Sequence, residues 1–362
     1  MSTSSATAGE AGPAPGHERL RRVSLAQRAL GRPAAGALII VVFVWIVFSI
    51  LSIQTGNPVF LTHAGTLSYL DVAAQVGIVA TAVALLMIGG EFDLSIGSLV
   101  GFAGIVIGIG VTEFGMPVWA AILASMVLTT LLGVVNGIIV VRTGLPSFIV
   151  TLATLFIIRG LTVVMTALIT NITFIPIDRA RIAADPIAGF FNWGQVIVIN
   201  GQRGELKVSI LWWILIALIG AYLLGKTRFG NWIAGVGGSA QAARNLGVPV
   251  ARVKIALFAL TAFSASVLAT VQSMTFFSAD VLRGRGLELD AITTAVIGGT
   301  LLTGGYGSVI GAAIGALALG MARIGIVFAD INSDWYFVSI GTLLLVAVVL
   351  NNWIRRRFAG LR

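Results

Sequence analysis

Cysteine is missing from this 362-residue sequence, and histidine occurs only at His17 and His63. The chain can therefore have no disulfide framework, no thiolate metal site and no cysteine nucleophile, and two isolated histidines are too few for a zinc cage. Charged residues are also scarce, at 10% against roughly 25% in an average soluble domain. Hydrophobic residues make up 57% of the chain. Because water could not solvate such a surface, the composition predicts an integral membrane protein.

Ten apolar runs have a length that can cross, or nearly cross, the hydrocarbon core of a membrane. They cover residues 35–53, 72–90, 94–112, 117–141, 145–170, 208–225, 255–276, 291–302, 308–328 and 335–353, and the eighth is unusually short. The predicted fold is all-α, with about ten transmembrane helices in a membrane domain of residues 35–354. Residues 1–34, rich in Ser, Ala, Gly and Pro, are predicted to form a disordered cytoplasmic tail. Residues 355–362 are predicted to form a short cytoplasmic tail at the other end.

The net charge of +9 raises the question of a nucleic-acid partner. Ten spans and a cytoplasmic N-terminus assign every loop to one side of the membrane. On this assignment 15 of the 23 Lys and Arg residues lie inside and 6 outside, whereas ten of the 14 acidic residues lie outside. Basic residues normally collect on the cytoplasmic side of membrane proteins. Membrane topology therefore explains the positive charge, and we expect no nucleic-acid partner.

Two nucleotide-binding patterns occur in the wrong context. Residues 220–227 read GAYLLGKT, which fits the GxxxxGK[ST] phosphate loop, and Gly235, Gly237 and Ala240 fit GxGxxA. A phosphate loop follows a strand and wraps backbone N–H groups around phosphate, and a dinucleotide site also needs an acidic residue about 20 positions further on. The first pattern lies at the apolar end of a span, and the second has neither strand nor acid. Any ATP hydrolysis is therefore expected in another subunit.

The densest polar cluster at a predicted membrane boundary is GGEFDLSIGS, residues 89–98. In one hypothesis, Asp93 caps a helix that begins at Leu94, and Ser95 and Ser98 satisfy N–H groups of its first turn. In the other, the helix is broken within the membrane and its positive N-terminal end faces a substrate cavity. The candidate pathway or helix-break residues here are Gly89, Gly90, Glu91, Asp93, Ser95 and Ser98.

Three further residues join the candidate pathway or helix-break set. Gly298 and Gly299 follow an isoleucine in the same way as Gly89 and Gly90 do. The two stretches are either equivalent re-entrant elements, a faint internal duplication or a result of convergence. Arg159 lies in the middle of a predicted span, where a charge is costly without partners or water. It either bonds to backbone carbonyls or lies in the solute pathway and donates to hydroxyl groups.

The basic stretch of residues 226–254 is predicted to be a cytoplasmic loop that contains a short helix ended by Gly247. Its sequence from Gln241 to Gly247, with the VKI run that follows, resembles the coupling-loop motif of bacterial ABC importer permeases. That motif normally begins with Glu, so Gln241 keeps the shape and the hydrogen bonding but lacks the charge. The resemblance implies that the ATPase-coupling residues are Gln241, Ala242, Ala243, Arg244 and Gly247.

The GGEFDLSIGS element and the distal IGGTLLTGGYGSVIGAAIGAL, residues 297–317, are similar to the ribose-type branch of this superfamily, the permeases for simple sugars. With the coupling segment, the resemblance covers roughly residues 35–354. It implies an ABC importer permease fold in a bacterial cell (inner) membrane, with both termini in the cytoplasm. The implied function is a permease subunit that moves a simple sugar delivered by a periplasmic or extracellular binding protein. A nucleoside, a polyol or a branched-chain amino acid is the alternative solute.

The same resemblance implies the partners. They are ABC ATPase subunits, a periplasmic sugar-binding protein, a second copy of the permease and membrane lipid. No cofactor is expected on this chain, because ATP and Mg²⁺ are used by the ATPase. Residues 171–207, the longest predicted periplasmic loop, combine charged and aromatic side chains and form either a docking surface for the binding protein or a lid lying in the headgroup region.

Two other classes of membrane protein fit the sequence less well. An ion-coupled secondary transporter needs carboxylates deep in the helix bundle. The sequence places Asp71, Glu91 and Asp93 at span edges. A membrane-embedded enzyme needs a nucleophile with a nearby base or a His/Asp/Glu cluster within the spans, and the sequence indicates neither.

Overall fold

The computed structural model describes residues 34–358, with side chains through Trp353. The tail predicted for residues 1–34 lies outside the described residues except for Ala34, and so do residues 359–362. The described helices are α1 (Ala34–Gln54), α2 (His63–Ile88), α3 (Ile96–Thr112), α4 (Val118–Thr143), α5 (Ser147–Thr170), α6 (Arg179–Ala184), α7 (Pro186–Phe191), α8 (Val208–Lys226), α9 (Arg228–Gly238), α10 (Ala240–Asn245), α11 (Val250–Phe276), α12 (Leu287–Ile297), α13 (Val309–Phe328) and α14 (Trp335–Phe358). The strands are β1 (Phe174–Pro176), β2 (Gly194–Ile199), β3 (Gln202–Lys207) and β4 (Ser278–Asp280), and one turn of 3₁₀ helix covers Pro58–Leu61.

Eight helices in the described chain are long and apolar enough to cross a membrane, namely α1, α2, α4, α5, α8, α11, α13 and α14. This confirms the prediction of an all-α multi-pass membrane protein. The predicted third span corresponds to α3, which has 17 residues. The eighth predicted span, residues 291–302, is wrong as a span. Its helix α12 has only 11 residues, about 16 Å of helix and roughly half of the hydrocarbon thickness.

The bundle is arranged around α2, which is the most buried of the long helices. It packs against α8, α11, α12 and α13, while α1, α4, α5 and α14 lie at the periphery with large apolar side chains exposed. Close packing of α4 on α11 depends on Gly133 and Gly137. A Cβ added at Gly133 would lie 2.5 Å from the Phe258 carbonyl oxygen, and one at Gly137 would lie 2.8 Å from Ile255 Cα. Small residues thus allow the helix backbones to approach each other, as is usual in membrane proteins.

The two ends of the bundle carry different elements. We call the end with α9 and α10 the inner end, and the end with α6, α7 and the four strands the outer end. The helix α14 runs to Phe358, four residues into the stretch predicted as a C-terminal tail. On the outer end, β1 pairs with β4 and so joins the chain after α5 to the chain after α11.

A β-hairpin at the outer end was not predicted. Its strands β2 and β3 pair in antiparallel register and are joined by Asn200 and Gly201, whose φ angles are +52° and +78°. An Asn-Gly pair with both φ angles positive is the favoured connection for a two-residue hairpin turn. The signal was therefore present in the sequence, and the hairpin packs along the outer end of α2.

Candidate functional site

The chain between α2 and α3 is broken at two glycines. After Ile88 the helix ends, and Gly90 takes φ +84°, a left-handed conformation that glycine adopts without strain. The Gly90 N–H donates to the Met87 carbonyl at 2.9 Å, and the Glu91 N–H donates to the Leu86 carbonyl at 3.2 Å. These bonds satisfy carbonyls that the last turn of a helix otherwise leaves free.

The broken segment, residues 89–95, turns back into the bundle. Asn136 Nδ2 donates to Ser95 Oγ at 2.9 Å. Arg142 lies in the last turn of α4 and so marks the inner end of that helix. Asn136 lies six residues before Arg142, which is about 9 Å of helix further into the bundle. Because α3 begins at the next residue, Ile96, its N-terminus lies well inside the membrane domain. The geometry therefore favours the broken helix over a cap at a surface turn.

Hydroxyl groups of α5 satisfy the backbone of the broken segment. The Phe92 N–H donates to Ser147 Oγ at 2.9 Å, and the Leu94 N–H donates to Thr151 Oγ1 at 3.0 Å. Non-helical backbone at membrane depth is tolerated only where such partners, or water, replace the missing helical bonds. The sequence did not indicate Ser147 or Thr151, since both are distant from the segment along the chain.

Asp93 lies at the centre of this network with an exposed fraction of 0%. Its Oδ1 accepts from the Ser95 N–H at 2.9 Å and from the Ser95 hydroxyl at 2.6 Å, and its Oδ2 accepts from the Thr261 hydroxyl of α11 at 2.8 Å. The carboxylate thus joins the broken segment to α11. It also lies at the positive N-terminal end of α3, where a negative group is stabilised.

The predicted capping pattern is correct for Asp93 and wrong for the two serines. Asp93 does accept from an N–H at the start of α3, although the helix begins at Ile96 and not at Leu94. The Ser95 side chain makes no cap hydrogen bond to the helix. Ser98 donates its hydroxyl to the Ser95 carbonyl at 2.6 Å. Its short side chain lies within reach of that carbonyl, as is common for serine inside a helix.

Glu91 lies near the inner end of the broken segment and forms an ion pair with Lys254 of α11. Both side chains are largely buried. Since an unpaired charge in this position would be costly, Glu91 and Lys254 act as a second tie between the break and α11.

The second glycine pair repeats the backbone of the first. Gly298 has φ −66° and ψ −2°, where Gly89 has −69° and −3°, and Gly299 has φ +86°, where Gly90 has +84°. The Gly299 N–H donates to the Val296 carbonyl at 2.9 Å, three residues back, as the Gly90 N–H does. The two elements therefore end their helices in the same conformation.

The segment that the sequence predicts to be the cytoplasmic coupling loop forms two helices, α9 and α10, which we call the coupling helices. Ile233 and Val236 bury the apolar face of α9 against the inner ends of α2 and α11. The next helix, α10, begins at Ala240 with Ser239 accepting from the Ala242 N–H at 3.2 Å. It ends at Asn245, and Gly247, which the sequence predicts to end this helix, has a φ of +81° two residues later.

Most of α10 projects from the bundle. Ala243 is buried against it, whereas Leu246 is 84% exposed. The side chains of Gln241, Ala242 and Arg244 are exposed as well. Gln241 Nε2 lies 3.4 Å from Asn245 Oδ1 and makes no bond to the bundle among the described residues. The result is a short, firmly capped projection with one large apolar side chain at its tip.

Three backbones meet where α9 ends. A Cβ added at Gly237 would overlap the Ile88 carbonyl oxygen and lie 2.6 Å from the Gly305 nitrogen, and one at Gly304 would lie 2.7 Å from Gly90 Cα. The Gly305 N–H donates to the Ile88 carbonyl at 2.8 Å. We call this contact of residues 88–90, 237–238 and 304–305 the glycine joint. Through it, the coupling helices touch the first glycine break and the loop that follows the second.

Arg159 has a carboxylate partner that the sequence did not indicate. Its Nη2 lies 3.8 Å from Glu288 Oε1, at the start of α12. The sequence-based topology counted Glu288 among the ten outer acids and placed Asp93 at a span edge. The position of Glu288 is wrong, because it pairs with Arg159 of α5, and Asp93 is buried within the bundle as well. Neither carboxylate suggests ion coupling. Glu288 is paired with a cation, and Asp93 accepts hydrogen bonds at both oxygens.

The outer loop is tied down by its charged side chains. Asp185 accepts from the Trp119 N–H at 2.8 Å and from two N–H groups of α7, and Arg181 donates to the Val111 carbonyl at 2.5 Å. Phe191 stacks on Trp212 with ring centroids 5.1 Å apart. Residues 171–207 are therefore packed against the bundle as a cap. Its outward side chains remain either a docking surface for the binding protein or a lid in the headgroup region.

The nucleotide patterns are helical. Residues 220–226 belong to α8, and Thr227 accepts from the Gly230 N–H as the cap of α9. Gly235 and Gly237 lie within α9, and no strand precedes them in the described chain between α8 and α9. The geometry thus agrees with rejecting both nucleotide sites.

Comparison with known proteins identifies relatives along most of the chain. Residues 65–349 match the family described as branched-chain amino acid transport system / permease component. The probable ABC transporter permease protein YphD of Escherichia coli (strain K12) is 31% identical over 322 residues, which is 89% of this chain and 90% of that protein. From the same organism, the ribose import permease protein RbsC is 30% identical, with 83% and 89% covered, and the xylose transport system permease protein XylH is 29% identical, with 84% and 88% covered.

The relatives and the helix bundle agree. The family match covers most of the membrane domain, including α2, both glycine breaks, the coupling helices and the α5–α11 network. The chain therefore belongs to the family of branched-chain amino acid transport system permease components and is a multi-pass transport subunit of the inner membrane.

Proposed function

We propose that this chain is the translocation subunit of an ATP-driven importer for a simple sugar, which an external binding protein delivers. Two copies form the pathway, and separate ATPase subunits bind ATP and Mg²⁺ at the inner end. The chain itself contributes the pathway and the contact that receives the motion of the ATPase.

The observation that carries the proposal is the connection from α10 to the two breaks. The exposed tip at Leu246 suits a groove on a cytoplasmic partner. Because α9 meets Gly90 and Gly304 backbone to backbone, a displacement of α10 reaches the first break directly and the second through the loop that follows it, without passing through flexible side chains. Rigid transmission of this kind is what an importer driven by a separate motor requires.

Support for a sugar comes from the relatives, two of which are named for ribose and xylose. The description of the matching family favours a second candidate, a branched-chain amino acid. That solute carries an ammonium and a carboxylate, whereas a simple sugar carries only hydroxyl groups. A nucleoside or a polyol remains a further alternative to a sugar.

The test is transport by the assembled complex. The chain is reconstituted in proteoliposomes with the ATPase and the binding protein encoded beside it, and uptake of labelled ribose, xylose and leucine is compared. We expect ATP-dependent uptake of a sugar and none of leucine, with no ATP hydrolysis by the purified chain alone. Uptake of leucine and of neither sugar would show that the amino-acid candidate is correct.

Sidedness is part of the proposal. We infer that α10 faces the cytoplasm and that the cap of residues 171–207 faces outward. Single cysteines in place of Ala242, which is exposed, and Asn192, which is half-buried, should react oppositely with a membrane-impermeant thiol reagent in intact cells. Reaction of both residues from outside would contradict this orientation.

A further inference from the structure

The chain between β4 and α12, residues 281–286, descends into the membrane domain without helical structure. A Cβ added at Gly101 would lie 2.8 Å from the Val281 carbonyl oxygen, and one at Gly284 would lie 2.5 Å from the Gly97 carbonyl oxygen. The segment therefore runs along α3 towards its deep end. Gly97 is fifteen residues from Thr112 at the outer end of α3, which is about 22 Å of helix.

The depth of this segment is supported independently by α5. Glu288, two residues after the segment, pairs with Arg159. Arg159 lies twelve residues from the inner end of α5 and eleven from its outer end. The start of α12 is therefore close to the middle of the membrane, although the sequence predicted that residues 283 and 285 lie outside.

The segment and the first turn of α12 carry uncovered side chains. Leu282 is 49% exposed and Leu289 is 62% exposed, and Arg285 between them is exposed as well. Non-helical backbone at membrane depth occurs only where it is buried in protein or lines a water-filled cavity. Lipid is thus excluded as the neighbour of these side chains.

The charge of Arg285 leads to the same conclusion. A guanidinium group in hydrocarbon is costly and needs a partner or water. The nearby acids are engaged with other cations, since Glu288 pairs with Arg159, and Asp290 lies 4.0 Å from Arg323. Within residues 34–353, no ion pair or side-chain hydrogen bond includes Arg285.

We propose that Arg285 faces the water-filled solute pathway and binds the hydroxyl oxygens of the transported polyhydroxylated solute. A guanidinium presents five N–H donors in a fixed plane and no acceptor, so it can bind two adjacent hydroxyl oxygens at once. Leu282 and Leu289 on either side offer apolar contact to the C–H face of a sugar ring. The ligand class rests on the proposed function, but the exposure of Arg285 to water does not.

A nearby groove is less suitable for such a solute. Between α3, α4 and α5 lies a cavity of about 610 Å³ whose lining is almost wholly apolar. Its side chains include Phe102, Ile109 and Leu161. A sugar there would lose its hydrogen bonds to water without replacement. The polar route at this depth is the face around Arg285.

Water access is tested by cysteine labelling. Because the chain has no native cysteine, each variant carries a single reactive thiol. Arg285→Cys is compared with Phe156→Cys, a position 65% exposed on α5 and three residues before Arg159, hence at similar depth. In the reconstituted complex, a charged thiol reagent added outside should modify Arg285→Cys at least about tenfold faster, since thiolate forms in water and not in lipid. If Arg285→Cys does not assemble, Leu289→Cys in the first turn of α12 gives the measurement.

Contact with solute is tested by uptake kinetics of ribose and xylose. We expect Arg285→Leu to raise KM about tenfold, as for the loss of one charged hydrogen bond, and Arg285→Lys to raise it less. Equal, slow labelling at both positions would overturn the proposal. Slow labelling of Arg285→Cys together with an oxidative cross-link between two copies through residue 285 would overturn it as well, because the residue would then lie between the copies and not face water. Rapid labelling with unchanged KM would overturn the contact with solute. If the unaltered complex imports no sugar, the proposed function fails, while the labelling result still decides whether Arg285 faces water.

Discussion

After Gly90 the chain turns back into the bundle and is held by hydroxyl groups, whereas after Gly299 it crosses the inner end as a glycine-rich loop. In the first segment, Ser147 and Thr151 of α5 accept hydrogen bonds from the backbone, and so does its own Asp93. Along the second, the buried Thr300 hydroxyl has no partner. A cavity of about 220 Å³ lies beside this loop and α14. Identical helix ends thus lead, in one case, to a segment whose backbone is held by side chains of α5. In the other case they lead, among the described residues, to a loop with backbone hydrogen bonds only, a buried unpaired hydroxyl and a cavity beside it.

This difference indicates which break moves. Segments with few internal bonds open at lower free energy than fully bonded ones. We therefore expect the first break to act as a fixed strut and the loop after Gly299 to change shape when the coupling helices are displaced. The predictions below test this assignment in order of decreasing effect on stability.

The largest effect is expected for Asp93→Ala. The substitution leaves the Ser95 N–H and the Ser95 hydroxyl without their acceptor in a buried site, at about 1 kcal/mol or more for each. It also removes the tie to Thr261 of α11, whose hydroxyl keeps only the Phe258 carbonyl as acceptor. We expect a loss of about 3 kcal/mol, measured as a large fall in apparent Tm of the detergent-purified chain. Asp93→Asn, which keeps an acceptor of the same shape, should retain most of the stability. Equal losses in both variants would mean that the negative charge, and not the hydrogen bonding, holds the first break.

An intermediate effect is expected from a methyl group at Gly298. Its Cβ would lie 2.5 Å from Ala312 Cα, on the backbone of α13, whereas a Cβ at Gly89 would lie 2.6 Å from the end of the Leu257 side chain. Since a side chain can move and a helix backbone cannot, we expect Gly298→Ala to cost about 2 kcal/mol and Gly89→Ala less than half as much. The apparent Tm of the two variants decides. Equal values would remove this asymmetry between the breaks.

A smaller effect is expected at Gly247, which follows α10. Its φ of +81° is disfavoured for a side chain by about 1 kcal/mol, and no atom obstructs a Cβ there. Gly247→Val should therefore fold and insert normally but lower sugar-stimulated ATP hydrolysis and uptake together. Gly247→Asn is the control, because asparagine tolerates this conformation. Normal stimulation in Gly247→Val, at equal amounts of assembled complex, would show that α10 is not the coupling element.

Gln241→Glu, which restores the usual residue of the family, should retain or improve coupling.

The smallest effect is expected for Thr300→Val in the loop after Gly299. This isosteric change removes a buried hydroxyl that has no hydrogen-bond partner, so it should be neutral or slightly stabilising. The matched change in the first break is Thr151→Val, which removes the acceptor of the Leu94 N–H and should cost about 1 kcal/mol. A comparison of apparent Tm for the two variants measures directly how differently the breaks are held.

The long helices could be predicted from the sequence because hydrophobic runs of this length have few alternatives in a membrane. The prediction failed where a helix is short for a structural reason. In residues 291–302, apolar composition indicated a span, but Gly298 and Gly299 end α12 after 11 residues. An equivalent pair, Gly89 and Gly90, ends α2. The pair was therefore a visible sign of a helix end, but the apolar composition outweighed it in the prediction.

The site was predicted in part. The left-handed Gly247 and the role of Asp93 at the start of α3 follow from local rules of helix ends. The partners of the broken segment on α5 and α11, and the pair of Arg159 with Glu288, depend on packing between distant parts of the chain. The assignment of Glu288 to an outer loop assumed that non-helical chain lies outside the membrane, and the descent of residues 281–286 contradicts that assumption.

The central claim is that α9 drives the breaks through the glycine joint, and one pair of substitutions tests it most directly. A Cβ at Gly237 would overlap the Ile88 carbonyl oxygen, whereas a Cβ at Gly235, in the same helix, would meet no atom within 4 Å. Sugar uptake and binding-protein-stimulated ATP hydrolysis are measured for Gly237→Ala and Gly235→Ala at equal amounts of assembled complex. The account predicts that both activities fall at least about tenfold in Gly237→Ala, since overpacking must separate the three backbones, and that Gly235→Ala remains normal. Full stimulation and uptake in Gly237→Ala would contradict it.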